Sequence, residues 1–79
     1  MDTISLTIPP NSVYLKSMRL LAASLASDMG FDIEEVEDIR VVVSEAINYK
    51  MSDEDIKINF YIKENLMKVE VIGKDREIE

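Results

Sequence analysis

The feature that most constrains the fold of this chain is the order in which its hydrophobic periodicity changes. Residues 3–8 alternate polar and apolar side chains, which is the two-residue period of a half-buried strand. Two stretches follow in which apolar residues recur three and four positions apart, and two further alternating stretches come after them. The sequence therefore predicts the order β-α-α-β-β, which 79 residues accommodate as a single two-layer domain.

The first helical stretch extends from Val13 to Met29. Pro9 and Pro10 end the preceding strand because proline cannot donate to a sheet ladder, and Asn11 or Ser12 can then cap the helix. Gly30 is placed to end it in a left-handed conformation. The predicted apolar side of the helix consists of Tyr14, Leu15, Met18, Leu21, Ala22, Leu25, Ala26 and Met29.

The second helical stretch follows Asp32, which with Glu35 has the spacing of a capping box. Acidic side chains fill its first turns, where they interact favourably with the positive end of the helix dipole. The β-branched run 41–43 weakly opposes a helix, but the cap and the periodicity outweigh it. The predicted apolar side consists of Ile33, Val36, Ile39, Val43, Ala46 and Ile47.

Two strands are predicted after the polar connector 51–55. Ile56, Ile58, Phe60 and Ile62 alternate with polar residues, Glu64-Asn65 forms a tight turn, and a strand from Leu66 to Ile72 follows. We expect these two strands to form an antiparallel hairpin and residues 3–8 to lie at a sheet edge. The predicted fold is an α+β two-layer sandwich, with two helices packed on one face of a small, mostly antiparallel three-stranded sheet.

Composition excludes several classes of function. The chain has no Cys and no His, which excludes disulfides, the common zinc sites and nucleophilic catalysis of the Ser-His or Cys-His kind. The formal charge of −7 argues against a nucleic-acid partner. No stretch has the 18 apolar residues of a membrane span, and no positively charged leader is present, so we expect a cytoplasmic protein. A domain this small needs reinforcement, and self-association as a homodimer is the remaining kind.

Glu45 is the carboxylate whose position in the sequence is consistent with a catalytic role. It lies late in an apolar helix, between Val43 and Ala46. A carboxylate beside a core-facing stripe can act as a general base, whereas the alternative interpretation is an ordinary solvated glutamate on a helix flank.

The stretch from Ser12 to Ala46 resembles the first two helices of the bacterial anti-sigma-factor serine kinases. The Met-Gly-Phe turn, the acidic Glu-Glu-Val-Glu-Asp segment and the Val-Ser-Glu-Ala signature match this family in order and spacing, and the hairpin follows its next two strands. The resemblance covers roughly residues 3–72. It implies a minimal form of the histidine-kinase-like (GHKL) ATPase fold.

The resemblance also implies candidate nucleotide contacts. Glu45 matches the family's glutamate, while the asparagine expected four residues later falls on Tyr49, so the neighbouring Asn48 is the candidate magnesium ligand. The family's adenine-binding aspartate position is occupied by Gly73, and Asp75 follows two residues later. Asn48, Gly73 and Asp75 are thus the candidate cofactor-binding residues, with ATP and Mg²⁺ as cofactors if the family site is retained.

Several family parts have no counterpart here, including the glycine-rich lid, so we expect residues 1–79 to form one truncated anti-sigma-kinase-like domain without kinase activity. The first hypothesis is a non-catalytic regulatory module that dimerises or binds a sigma factor, an anti-sigma antagonist or a related kinase. The second is a residual ATP- and magnesium-binding kinase-like protein that uses Glu45 and Asn48, completed by a partner chain. A third is a purely folding role in a larger assembly.

Overall fold

The computed structural model describes residues 1–73, so the candidate Asp75 lies outside the described residues. Its elements follow the predicted order. They are β1 (Asp2–Ile8), a 3₁₀ turn (Ser12–Tyr14), α1 (Leu15–Asp28), α2 (Ile33–Lys50), β2 (Ile56–Lys63) and β3 (Leu66–Ile72).

The three strands form one antiparallel sheet in the order β1-β2-β3. Ile4 lies opposite Phe60, and Phe60 lies opposite Val69, so their side chains share one face of the sheet. The hairpin turn places Glu64 at a φ of 52°, the left-handed conformation that a tight turn requires. The predicted hairpin and the edge position of β1 are both confirmed, and β3 forms the other edge of the described sheet.

The capping box of α2 and the glycine after α1 follow the prediction, whereas Asn11 caps a 3₁₀ turn and α1 begins after Tyr14, which makes no side-chain capping hydrogen bond. Asn11 accepts a hydrogen bond from the Val13 N–H, and the chain makes a 3₁₀ turn before α1 begins at Leu15. Gly30 has a φ of 88° after α1. At α2 the Asp32 side chain accepts from the Glu35 N–H at 2.8 Å, and Glu35 accepts from the Asp32 N–H at 3.1 Å. The predicted capping box is therefore confirmed.

The core lies between the two helices and one face of the sheet. Two residues of the predicted apolar helix sides do not join the core, since Ile33 is 83% exposed and Tyr14 is 40% exposed. Both lie at the start of a helical segment, and periodicity buries a side chain only where another element lies opposite it. Within residues 1–73, neither helix combines the length and the apolar composition needed to cross a bilayer. The core cluster consists of Ile8, Met18, Ala22, Val43, Ile47, Ile56, Ile58 and Phe60.

Candidate functional site

Glu45 lies on an exposed flank of α2. It lines a shallow polar groove between the two helices, together with Arg19, Arg40 and Ser44. Arg40 is held there by an ion pair with Glu37, at 2.8 Å between Nη1 and Oε1. The carboxylate of Glu45 therefore faces the α1 side of α2, away from the side that borders β3.

The other nucleotide candidates lie near the C-terminal end of α2. Asn48 is exposed, and its carbonyl accepts a hydrogen bond from the Met51 N–H at 3.2 Å. Gly73 packs against this last turn, because a Cβ added there would lie 3.1 Å from the Lys50 Cβ. The structure thus brings Gly73 close to the helical turn that carries Asn48. No cluster of three or more Asp or Glu residues suited to a metal ion occurs within residues 1–73.

A second groove, of about 290 Å³, separates α2 from β3. Its lining is apolar apart from Asp38, and Val42 on its α2 side is 64% exposed. The run of three valines in the sequence indicates this surface, although the predicted apolar side of α2 does not include Val42. Successive helical residues are rotated by about 100°, so the valines at 41, 42 and 43 must point in three directions. We name this surface the α2–β3 groove, and it is lined by Asp38, Ile39, Val42, Val43, Ala46, Met67, Val69 and Val71.

The opposite face of the sheet carries a polar cluster that the sequence analysis missed. The Glu70 carboxylate accepts hydrogen bonds from Asn59 Nδ2 at 3.0 Å and from the Tyr61 hydroxyl at 2.9 Å, both at Oε1. Strand alternation places all three side chains on this outer face, yet Asn59 is only 6% exposed. Its Oδ1 atom is buried and makes no hydrogen bond among the described residues.

These hydrogen bonds shift the pKa values of Glu70 and Tyr61 in opposite directions. The bond from Asn59, followed by the bond from Tyr61, lowers the pKa of Glu70 below its ordinary value. The bond to Glu70, with desolvation and the charge of Glu70 as lesser causes, raises the pKa of Tyr61. Both shifts favour an ionised Glu70 beside a neutral Tyr61.

The stability of the fold should depend on pH through Glu70. Because its folded pKa is depressed, its contribution is complete above the unfolded value of about 4.3 and is lost as the pH falls through the folded value. Urea unfolding from pH 7 to pH 2.5 should therefore show a steeper acid loss for the natural chain than for Glu70→Gln. If the free energy of unfolding fell in parallel for the two chains as the pH is lowered, the Asn59–Glu70–Tyr61 cluster would not contribute to the pH dependence of stability.

Sequence comparison identifies the class of protein to which the chain is related, that of the anti-sigma-factor serine kinases. The serine-protein kinase RsbW of Listeria innocua is 32% identical over 77 residues, covering 89% of this chain and 49% of that kinase. The protein of the same name from Oceanobacillus iheyensis is 35% identical over 82 residues, covering 95% of this chain and 51% of the relative. The Bacillus pumilus protein is 34% identical over 82 residues, with coverage of 92% and 51%.

These similarities confirm the resemblance that residues 3–72 indicate, and the chain is a relative of this kinase family. It spans about half the length of the curated relatives that it matches. No protein-family model matches the chain.

Proposed function

We propose that this chain is a non-catalytic regulatory module related to anti-sigma factors, which acts by binding another protein. One observation carries the proposal. Of the candidate nucleotide contacts, Glu45 lines the polar groove toward α1 and Gly73 lies against the last turn of α2, near Asn48, and none of the three lines the groove beside β3, which is apolar. An exposed apolar surface bordered by polar residues suits contact with a protein.

Phosphoryl transfer makes stricter demands than this arrangement meets. It works by positioning and by electrostatic stabilisation of the phosphates, and magnesium requires near-ideal octahedral oxygen geometry. A glutamate on one flank of α2 and an apolar lining on the other do not converge on one phosphate position. This supports a binding role over a catalytic one.

The partners that fit the family relationship are a sigma factor, its antagonist or a related kinase. The net charge of −7 favours a partner with a basic surface. Self-association into a homodimer is part of the same proposal, because both β1 and β3 are edge strands in the described sheet.

A second candidate is residual nucleotide binding by Glu45 and Asn48, with magnesium at Asn48. The packing of Gly73 against Lys50 favours it, since this contact brings the residue at the adenine position near the turn that carries Asn48. A partner chain would then have to supply the remaining phosphate contacts.

Titration with ATP and magnesium distinguishes the two candidates. We expect no saturable backbone amide shifts up to millimolar ATP, because the described residues 1–73 bring no convergent set of phosphate-binding groups together. Shifts at Glu45, Asn48 and Gly73 that saturate at micromolar ATP and are lost in Glu45→Ala would contradict the proposal. Glu34→Ala is the matched control, since Glu34 is also an exposed glutamate of α2 but lies in its first turn.

The positive part of the test uses proteins in place of nucleotide. Purified candidate sigma factors and antagonists are titrated into the chain without ATP, and at least one is expected to bind with a micromolar or tighter dissociation constant. Sedimentation of the chain alone tests self-association. A chain that binds ATP but none of these proteins would support the second candidate.

A further inference from the structure

The outer face of the sheet, which points away from the helices, differs in charge from the rest of the chain. Strand alternation places Lys57, Lys63 and Lys68 on this face, with Glu70 among them. From β1 it receives only the short uncharged side chains at positions 3, 5 and 7. The whole chain has a formal charge of −7, so this face is a basic surface on an acidic protein.

A depression of about 410 Å³ lies at the hairpin end of this face. Its lining is mainly apolar, and two of its apolar side chains lie open to solvent, since Leu66 is 68% exposed and Met1 is 81% exposed. Exposed apolar groups of this size gain free energy when a ligand covers them. We name this surface the hairpin-end depression, and it is lined by Met1, Tyr61, Lys63, Leu66, Met67 and Lys68.

The Tyr61 wall of the depression is held in place by its neighbours. The Tyr61 hydroxyl donates to Glu70 at 2.9 Å, and the Lys68 ammonium lies 5.7 Å from the centroid of the ring. Asn59, which is only 6% exposed, donates to the same Glu70 oxygen and fixes that carboxylate from the central strand. A wall that is ordered before binding lowers the conformational entropy that binding costs.

The charges beside the depression indicate the chemistry of its occupant. Lys63 and Lys68 are exposed, and neither makes an ion pair within residues 1–73. Of the acidic residues in the hairpin, Glu64 lies in the turn and is itself exposed, and Glu70 is engaged in hydrogen bonds within the sheet. Two ammonium groups without carboxylate partners, beside an apolar surface, favour an apolar side chain flanked by Asp or Glu.

Two other occupants match this surface less well. A second copy packed face to face would bring lysines against lysines, which is unfavourable. A membrane surface attracts clusters of about four to eight basic residues, whereas this face has Lys57, Lys63 and Lys68 with Glu70 among them. An acidic segment of a protein requires only the local match at the depression.

We propose that the hairpin-end depression binds an acidic segment of a partner protein. An apolar side chain of that segment enters the depression beside Tyr61 and Leu66, and its Asp or Glu residues face Lys63 and Lys68. This inference goes beyond the proposed function, because it adds a second surface whose charge preference is opposite to that of the acidic chain as a whole. The two can therefore fail separately.

The probes are three capped pentapeptides in which Leu, Phe or Ile stands between two pairs of Glu and Asp residues. Each is titrated at low salt into the full isotope-labelled chain and followed by backbone amide shifts. We expect at least one to bind saturably with a dissociation constant of about 1 mM or tighter, a range accessible to a ligand of this size. The largest shifts should lie at Tyr61, Leu66 and Lys68.

Two variants test the charged and the apolar part of the recognition. Lys63→Glu should weaken the affinity roughly 5-fold or more at low salt, and the loss should shrink at high salt because exposed charge interactions are screened. Leu66→Ala should weaken the affinity roughly 5-fold at both salt concentrations, because it removes apolar contact area.

Each variant has a matched control on α1, which packs on the other face of the sheet. Lys16→Glu makes the same charge change at another exposed lysine, and Leu20→Ala removes the same side chain at a position that is 54% exposed. Both should change the affinity less than about 2-fold, as near-neutral positions do. A pentapeptide with Lys in place of every Glu and Asp should not bind.

Four results would overturn the inference. They are no binding of any acidic peptide, equal binding of the lysine peptide, equal loss of affinity in the variants and their controls, and evidence for another occupant. The last would be a self-associated form of the chain, or its binding to phosphatidylserine vesicles, that Lys63→Glu and Leu66→Ala both abolish. In each case, binding of a sigma factor or antagonist to the natural chain would leave the proposed function standing.

Discussion

Phe60→Ala is expected to leave the chain largely unfolded at 25 °C. Phe60 is fully buried at the centre of β2, opposite Ile4 and Val69 on the neighbouring strands. Removing a buried phenyl ring costs about 3–5 kcal/mol through lost transfer free energy and the remaining cavity. A single core in a domain of this size supplies rarely more than about 3–5 kcal/mol, so one substitution removes most of the stability.

Urea unfolding followed by far-UV circular dichroism measures this effect, with Phe60→Leu as a milder variant that should remain folded. Leu66→Ala is the control, because Leu66 is a large apolar residue of the adjacent strand but is 68% exposed. The control should change the free energy of unfolding by less than about 0.5 kcal/mol. A cooperative Phe60→Ala transition that loses only about 1 kcal/mol would mean that the core does not centre on Phe60.

Val43→Asp is expected to abolish folding at neutral pH, whereas the same change at Val41 or Val42 should leave the chain folded. The three valines are consecutive residues of α2, with exposed fractions of 1% for Val43, 64% for Val42 and 53% for Val41. A carboxylate at position 43 must lose its hydration among Met18, Ile47 and their neighbours, at an effective cost of several kcal/mol.

The series isolates burial from helix propensity, because the substitution and the helix are the same at all three positions. Far-UV circular dichroism and the urea midpoint provide the measurement. Val43→Thr introduces only a hydroxyl and should cost about 1–3 kcal/mol, which keeps the prediction measurable if the aspartate variant does not fold. Equal midpoints for the three aspartate variants would contradict the assigned packing of α2.

The different exposed fractions of these three valines also explain why the α2–β3 groove was not predicted. Periodicity assigns Val43 to the core, and it is buried. It cannot tell whether a third helix or another chain covers the next side of α2, since that depends on what lies beside β3. The α2–β3 groove is therefore a property of how two distant segments pack.

For the site residues too, the sequence pattern predicts some properties and the packing of distant elements decides the others. Sequence spacing identified Glu45 and Asn48 as neighbours on α2, but the direction in which Glu45 faces depends on the packing of α2 against α1. Strand alternation predicts Asn59 on the outer face, and its burial there reflects its position on the central strand, between Ser5 of β1 and Glu70 of β3. Neither property is encoded in a local pattern.

What the sequence determined by itself was the local architecture: the order β-α-α-β-β, the capping box at Asp32 and the left-handed glycine after α1. These features depend on contacts between residues a few positions apart, which sequence patterns report directly. The tertiary structure alone decided that Ile33 stays exposed, that Asn59 is buried and that an apolar groove opens beside β3. Each of these depends on which distant element lies opposite a side chain, and that is fixed only when the helices pack on the sheet.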